Sequence, residues 1–213
     1  TEPAERIKAR FRSGFPGFRP EVSLGQVTLT YPGADRPALD AVSLALPAGA
    51  SLGIVGTSGA GKSTLADVIL GVLEPDQAIA QWPGAVTYVP QTVQLANDTV
   101  RANVALGLPA DAIDDALVWE ALSRAHLADY LKENREGLGT HVREGGLNFR
   151  GGQPPRLCIA RALYSRPLLI VLDEATSALD AETESGFSLM IAELEGSVTT
   201  IFIADRLSTV RNV

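Results

Sequence analysis

Gly56-Thr57-Ser58-Gly59-Ala60-Gly61-Lys62-Ser63 fits the pattern G-x-x-x-x-G-K-[ST]. Its glycines let the backbone curl until several N–H groups point at one anion. Lys62 adds a point charge for the β- and γ-phosphates of a nucleoside triphosphate, and the Ser63 hydroxyl is placed to ligate Mg²⁺. From Thr64 the chain reads as a helix, whose N-terminal dipole favours the same anion. A glycine-rich turn without a ligand is the competing reading, but this loop follows a strand and opens a helix, as phosphate binding demands. Further on, Leu169-Ile170-Val171-Leu172-Asp173-Glu174 is an apolar run ending in two carboxylates. Asp173 can hold the metal, directly or through water, leaving Glu174 to orient or deprotonate an attacking water. Two acids at the end of a strand are also common structural features; their pairing with the phosphate loop favours the chemical reading.

The elements that must position these groups alternate between strand and helix. Val27–Tyr31, Val42–Leu46 and Ser51–Val55 read as strands, separated by Pro32-Gly33 and Pro47-Ala48-Gly49. Thr64–Leu73 reads as a helix, apolar at Leu65, Val68, Ile69 and Val72. Ala85–Val89 is a short strand closed by Pro90, residues 98–134 read as helical, and residues 137–152 are glycine-rich and irregular. Pro154 and Pro155 can open a helix over Arg156–Tyr164, because a missing N–H costs little in a first turn. Leu168–Leu172 has the continuous apolar character of a central parallel strand; a helix over about 181–194 and the strand Thr199–Ala204 follow. The pattern predicts an α/β core with a separate helical lobe over about 98–164. Residues 1–20, rich in Arg, Phe, Gly and Pro, read as a linker, with 21–213 as the domain.

Composition bounds what this domain can do. The 213 residues suffice for one domain, or for one with a small appended lobe. No run approaches the ~18 apolar residues of a membrane span, and no signal peptide is visible at the charged N-terminus. A net charge of −7 argues against a nucleic-acid surface but not against a local anion site built from backbone amides and one lysine. The single cysteine, Cys158, cannot form an internal disulfide and reads as a small core residue.

From about Val22 to Val210 the sequence resembles the nucleotide-binding domains of ABC transporters, of the exporter or flippase type. The resemblance rests on the phosphate loop, Tyr88-Val89-Pro90-Gln91, Arg150-Gly151-Gly152-Gln153, Leu172-Asp173-Glu174-Ala175-Thr176-Ser177-Ala178-Leu179-Asp180, and Ala204-Asp205-Arg206-Leu207-Ser208-Thr209-Val210. It implies a P-loop NTPase core with a mixed or parallel sheet, an antiparallel β edge and a helical signature lobe. It also implies ATP and Mg²⁺ as ligands, ATP hydrolysis coupled to transport, a transmembrane partner domain, and a place at the cytoplasmic face of the cell membrane. In this family two such domains dimerise head to tail, each ATP lying between one phosphate loop and the other subunit's glycine-rich signature.

The family's roles carry over residue by residue. Tyr31 looks like the aromatic that stacks on adenine, although a sheet-edge tyrosine fits the sequence too. Gln91 matches the glutamine that reaches Mg²⁺ and relays nucleotide state; an exposed loop amide is the plainer reading. Asp180 matches an aspartate that communicates across the dimer and could equally be a helix N-cap. Thr140–Gly146 faintly resembles the exporter segment that touches coupling helices.

Several positions depart from the family. Its signature is usually L-S-G-G-Q, but here Phe149-Arg150-Gly151-Gly152-Gln153 replaces the serine with Arg150, and Asp205 replaces the histidine that contacts the γ-phosphate. A carboxylate ~4 Å from a phosphate charge costs about 4 kcal/mol at an effective dielectric near 20. Arg150 has the opposite sign and a fork suited to phosphate, though its bulk could obstruct dimer closure. The expectation is an impaired ATPase, or one degenerate member of a heterodimer. The passage from Pro75-Asp76-Gln77-Ala78 to Trp82 leaves little room for the family's usual hairpin, and the family continues beyond the point where this chain stops; a trimmed domain is the expectation.

Overall fold

In a computed structural model of the chain the described residues are 21–81, 86–143, 146, 148–149, 151–173 and 181–204, with side chains described for all of these except 77–81 and 181–185. The expected linker, residues 1–20, lies outside them. The chain divides into two compact units. Among the described residues, one comprises 21–88, 168–173 and 191–204, and the other comprises 89–167 and 181–190.

The first unit holds two sheets. Strand β1 (Val22–Leu29) pairs antiparallel with β2 (Leu39–Leu46) on one side and β4 (Gln77–Gln81) on the other. Its buried residues are Val22 and Leu24, then Val27 and Leu29, so the two-residue alternation slips by one at Gly25-Gln26. A β-bulge causes the slip: Gln26 takes φ of 52°, and its N–H donates to Ser43 Oγ at 3.0 Å instead of to the ladder. The bulge shifts alternation that sequence reading needs, which is why the strand extends five residues before the predicted Val27 start. Strand β4 was not foreseen at all. It occupies the stretch in which the sequence left little room, so the antiparallel part is a complete three-stranded sheet in the order β2-β1-β4.

The second sheet is ordered β3 (Ser51–Val55), β9 (Thr199–Ala204), β8 (Leu169–Asp173), β5 (Val86–Val89). The β3–β9 and β9–β8 pairs are parallel. Leu169 to Leu172 and all six residues of β9 are buried, as a strand covered on both faces requires. Helix α1 (Lys62–Ile69) follows β3 and buries Ala66, Val68 and Ile69 in a core with Val22, Val27, Leu39, Leu169, Val171 and Ile201. It starts two residues before the predicted Thr64 and ends at Ile69 rather than Leu73, because Gly71 (φ 71°) turns the chain away.

In the second unit the predicted helical stretch 98–134 is broken. A two-residue strand β6 (Asp98–Thr99) precedes helices α2 (Val100–Val104), α3 (Asp115–Arg124) and α4 (Ala128–Glu133). Gly107 (φ 87°) and His126 (φ 52°) sit in left-handed conformations at the breaks. Asp114 caps α3, its Oδ1 accepting from the N–H groups of Ala116 and Leu117. Strand β7 (His141–Val142) pairs with β6. Helix α5 (Gln153–Tyr164) begins at Gln153 with both prolines in its first turn, three residues earlier than predicted. Cys158 is buried and desolvation raises its thiol pKa, in keeping with an inert core residue. Helix α6 (Ala181–Ala192) completes the elements, burying Phe187 and Met190.

A buried polar anchor holds this unit. Asn103 is fully buried. Its Nδ2 donates to the carbonyls of Ala96 and Thr99 (both 3.0 Å), and its Oδ1 accepts from Ala96 N–H (2.9 Å) and Arg161 Nη2 (3.0 Å). Arg161, on α5, also donates from Nε to the Asn103 carbonyl and from Nη1 to the Gln94 carbonyl, both at 2.8 Å. Asn103→Ala is expected to cost about 3 kcal/mol in chemical unfolding, since it strands several buried polar groups at once. Glu120→Gln, which breaks only the half-exposed pair with Arg166, should stay within about 0.5 kcal/mol. Equal effects would show that the anchor contributes no more than a surface ion pair.

Candidate functional site

Register explains how residues far apart in sequence share one edge. Val55 pairs with Ala204, and Asp173 pairs with Ile203, so β3 and β8 end within one residue of the same level on either side of β9. Their C-terminal ends are therefore about 10 Å apart, two strand spacings. The loop of residues 56–61 leaves the sheet at this edge, where α/β folds place ligands.

The loop has the shape that its glycines were expected to allow. Gly59 and Gly61 take φ of 81° and 84°. A Cβ on Gly61 would lie 2.5 Å from the Ala38 carbonyl oxygen, so backbone strain and steric overlap both demand glycine there. A Cβ on Gly56 would stand 3.1 Å from that of Ala60. The Lys62 ammonium folds back over the loop, donating to the carbonyls of Gly56 (2.8 Å) and Thr57 (3.2 Å). Ser58, Gly59, Ala60 and Ser63 are exposed, and Leu65 N–H donates to the Gly61 carbonyl as α1 begins. An exposed concave backbone with a lysine across it and a helix N-terminus behind it suits a polyphosphate.

Tyr31 lies just beyond β1, and its hydroxyl is 3.1 Å from Thr64 Oγ1. The phosphate-loop helix thus fixes the ring, which is 42% exposed and so open to stacking.

Asp173 closes β8, and the Tyr88 hydroxyl on neighbouring β5 donates to its Oδ2 at 2.8 Å. Burial, then the Asp173 carboxylate, pushes the Tyr88 phenol well above its ordinary range. Asp67, one helical turn beyond Ser63 on α1, has its carboxyl raised by burial and then by the charge of Asp173. Ser63 and Asp67 stand four residues apart on α1, and the charge of Asp173 is felt at Asp67. Sequence reading missed Tyr88 and Asp67. Only the four-residue spacing from Ser63 to Asp67 could have signalled the second, and nothing local signalled the first.

Gln91, Gly151, Gly152 and Gln153 belong to the second unit. Gln91 is exposed on the bend after β5. Gly151 (φ 52°) is exposed, while Gly152 is buried and caps α5, whose first residue is Gln153. Phe149 is buried beside Tyr130, ring centroids 6.0 Å apart. Of the Thr140–Gly146 segment, Arg143 N–H donates to Asn148 Oδ1 and the His141 carbonyl accepts from Asn148 Nδ2, while Glu144 and Gly145 lie outside the described residues. Arg150, Glu174, Asp180 and Asp205 lie outside the described residues.

Comparison with known proteins agrees with this arrangement. A family model described as "ABC transporter" matches residues 39–177. The ATP-dependent lipid A-core flippase of Cupriavidus pinatubonensis is 38% identical over 201 residues, 88% of this chain and 34% of that protein. The flippase of the same name from Escherichia coli K12 is 37% identical over 203 residues, 89% of this chain and 35% of its own length. The structure of a bacterial Atm1-family ABC exporter with ATP bound superposes with a TM-score of 0.76 at 36% identity, covering 90% of this chain and 36% of that one. The chain spans about a third of the length of these relatives. Among the described residues no helix is long and apolar enough to cross a membrane. With a phosphate loop and an acidic strand end on one sheet edge, a family match over most of its length and these relatives, the chain belongs to the ABC transporter family, as an ATP-binding domain similar to those of exporters.

Proposed function

We propose that this domain hydrolyses ATP as the motor of a membrane exporter or flippase, with a transmembrane domain as its partner and the cytoplasmic face of the membrane as its place. The observation that carries the reading is the near-level ending of β3 and β8, which brings the phosphate loop and Asp173 to one edge. The relatives named as flippases and the exporter with ATP bound support the coupling to transport.

In this reading the amides of residues 56–64 and the Lys62 ammonium bind the β- and γ-phosphates, Lys62 leaving its two loop carbonyls to do so. The ring of Tyr31 stacks on adenine. Ser63 Oγ and the Asp173 carboxylate, with Gln91, are hard oxygen donors of the kind Mg²⁺ takes alongside phosphate oxygens and water. Bound there, the cation would neutralise charge on the phosphates. Glu174 orients or deprotonates the attacking water. Gly151, Gly152 and Gln153 meet the triphosphate of a second domain across a head-to-tail dimer, with Arg150 and Asp205 flanking it and Asp180 at the dimer boundary.

The sequence departures favour a second reading, an ATP-binding regulatory domain with little hydrolysis. Phosphate release from the purified chain separates the two: a motor should exceed its Glu174→Gln variant by about 10²-fold or more, whereas equal rates support the regulatory domain. Lys62→Ala should weaken ATP binding by about tenfold or more in either case, as loss of one charged hydrogen-bond donor implies.

A second prediction concerns Arg150 and Asp205. If they face one composite site in a homodimer, Arg150→Ser and Asp205→His should change the ATPase rate non-additively, with a coupling of about 0.5–3 kcal/mol. Additive effects would show that the two side chains act independently.

A further inference from the structure

We infer that Tyr88 is a positioning residue for the metal-binding carboxylate: its phenol pins one oxygen of Asp173 and leaves the other directed to a divalent cation. The inference rests on the reading above, in which Asp173 takes the metal.

The 2.8 Å hydrogen bond from Tyr88 Oη to Asp173 Oδ2 crosses from β5 to β8, neighbours in the sheet. Asp173 is the last residue of its strand, where the ladder no longer constrains the side chain, and aspartate χ2 is intrinsically broad. A fixed donor on one oxygen removes that freedom. Among the described residues the hydrogen bond to this carboxylate is the phenol's, and it falls on one oxygen, Oδ2. Outer-sphere partners of this kind are worth about 10–100-fold in metal affinity elsewhere.

The surroundings make the tether more consequential. Asp67, on the helix that carries Ser63, has its carboxyl raised by burial and then by the charge of Asp173, so a second acid shares these surroundings. The phenol is a neutral donor, so the tether adds no charge beside the two carboxylates. A purely structural tyrosine would be expected to bury its ring, yet Tyr88 is 41% exposed, and its hydroxyl is spent on the carboxylate rather than on backbone.

The test compares the intact wild-type chain with Tyr88→Phe, which keeps the ring. Affinity for a fluorescent ATP analogue is measured with Mg²⁺ and with EDTA, and the ratio gives the metal's contribution. Wild type should bind more tightly with Mg²⁺. Tyr88→Phe should lose about tenfold of that enhancement, with an unchanged EDTA affinity and a melting temperature within about 2 °C. In an Asp173→Asn background the same substitution should have no effect. If wild type shows no Mg²⁺ enhancement, the metal-binding role of Asp173 fails. If wild type shows it and Tyr88→Phe retains it in full, the role of Tyr88 fails while that of Asp173 stands. An equal loss in EDTA would also overturn the inference, because the phenol would then act on the nucleotide or the loop.

Discussion

Everything at the candidate site depends on three parallel strands ending together. Pairing of β3 and β8 to the two sides of β9 is a backbone property, fixed by ladder hydrogen bonds and by the burial of Leu169–Leu172 and Ile201–Ile203. Slipping one strand by a single residue would send every side chain to the opposite face and force a core packed on both sides of the sheet to repack. The same slip would move Asp173 away from the loop edge. The apolar core is therefore what sets the distance between a phosphate cradle and an acid 111 positions after Lys62 (173 − 62). No side chain in the site has to enforce that distance.

The loop itself is prepared at a cost that folding elsewhere must cover. Two glycines with φ above 80° hold it open, and the Lys62 ammonium is satisfied by two carbonyls in place of phosphate oxygens. That internal contact keeps a buried-stem cation from being left unpaired. A ligand anion exchanges one set of acceptors for a stronger one, so binding gains only the difference. The net charge of −7 is compatible with this arrangement because the attraction is local: amides and one ammonium act over a few ångströms, while distant carboxylates are screened over about 8–10 Å.

The sequence made some elements legible and hid others for identifiable reasons. Strands buried on both faces, such as Leu169–Leu172 and Thr199–Ala204, announce themselves as continuous apolar runs. The phosphate loop is legible because few residue types can make it. By contrast, β1 was read five residues short because a bulge at Gln26 breaks its alternation, and β4 (Gln77–Gln81) was missed because its one large apolar residue, Ile79, is too little to show a strand pattern. The helical stretch 98–134 looked continuous because propensity is blind to the left-handed turn at His126. Tyr88 and Asp67 escaped for a different reason: their importance lies in what they face, and contacts from Tyr88 to Asp173 or from Asp67 to Asp173 span 85 and 106 positions (173 − 88, 173 − 67).

Those two residues also show why the electrostatics of the site cannot be read from one pair of charges. Partial burial, and then the charge of Asp173, raise the Asp67 carboxyl above the usual carboxylate range. A carboxyl with a raised folded-state pKa stabilises the fold fully at low pH, and that contribution disappears as pH rises through its titration. At neutral pH the fold thus bears a cost at this edge, which the core of the unit offsets. Tyr88 donates a hydrogen bond to Asp173 without bringing a positive charge that would compete for the same carboxylate. A lysine or arginine at position 88 would occupy Asp173 as a salt bridge and oppose any cation arriving there. A neutral donor is the chemistry that both steadies the acid and leaves it negative.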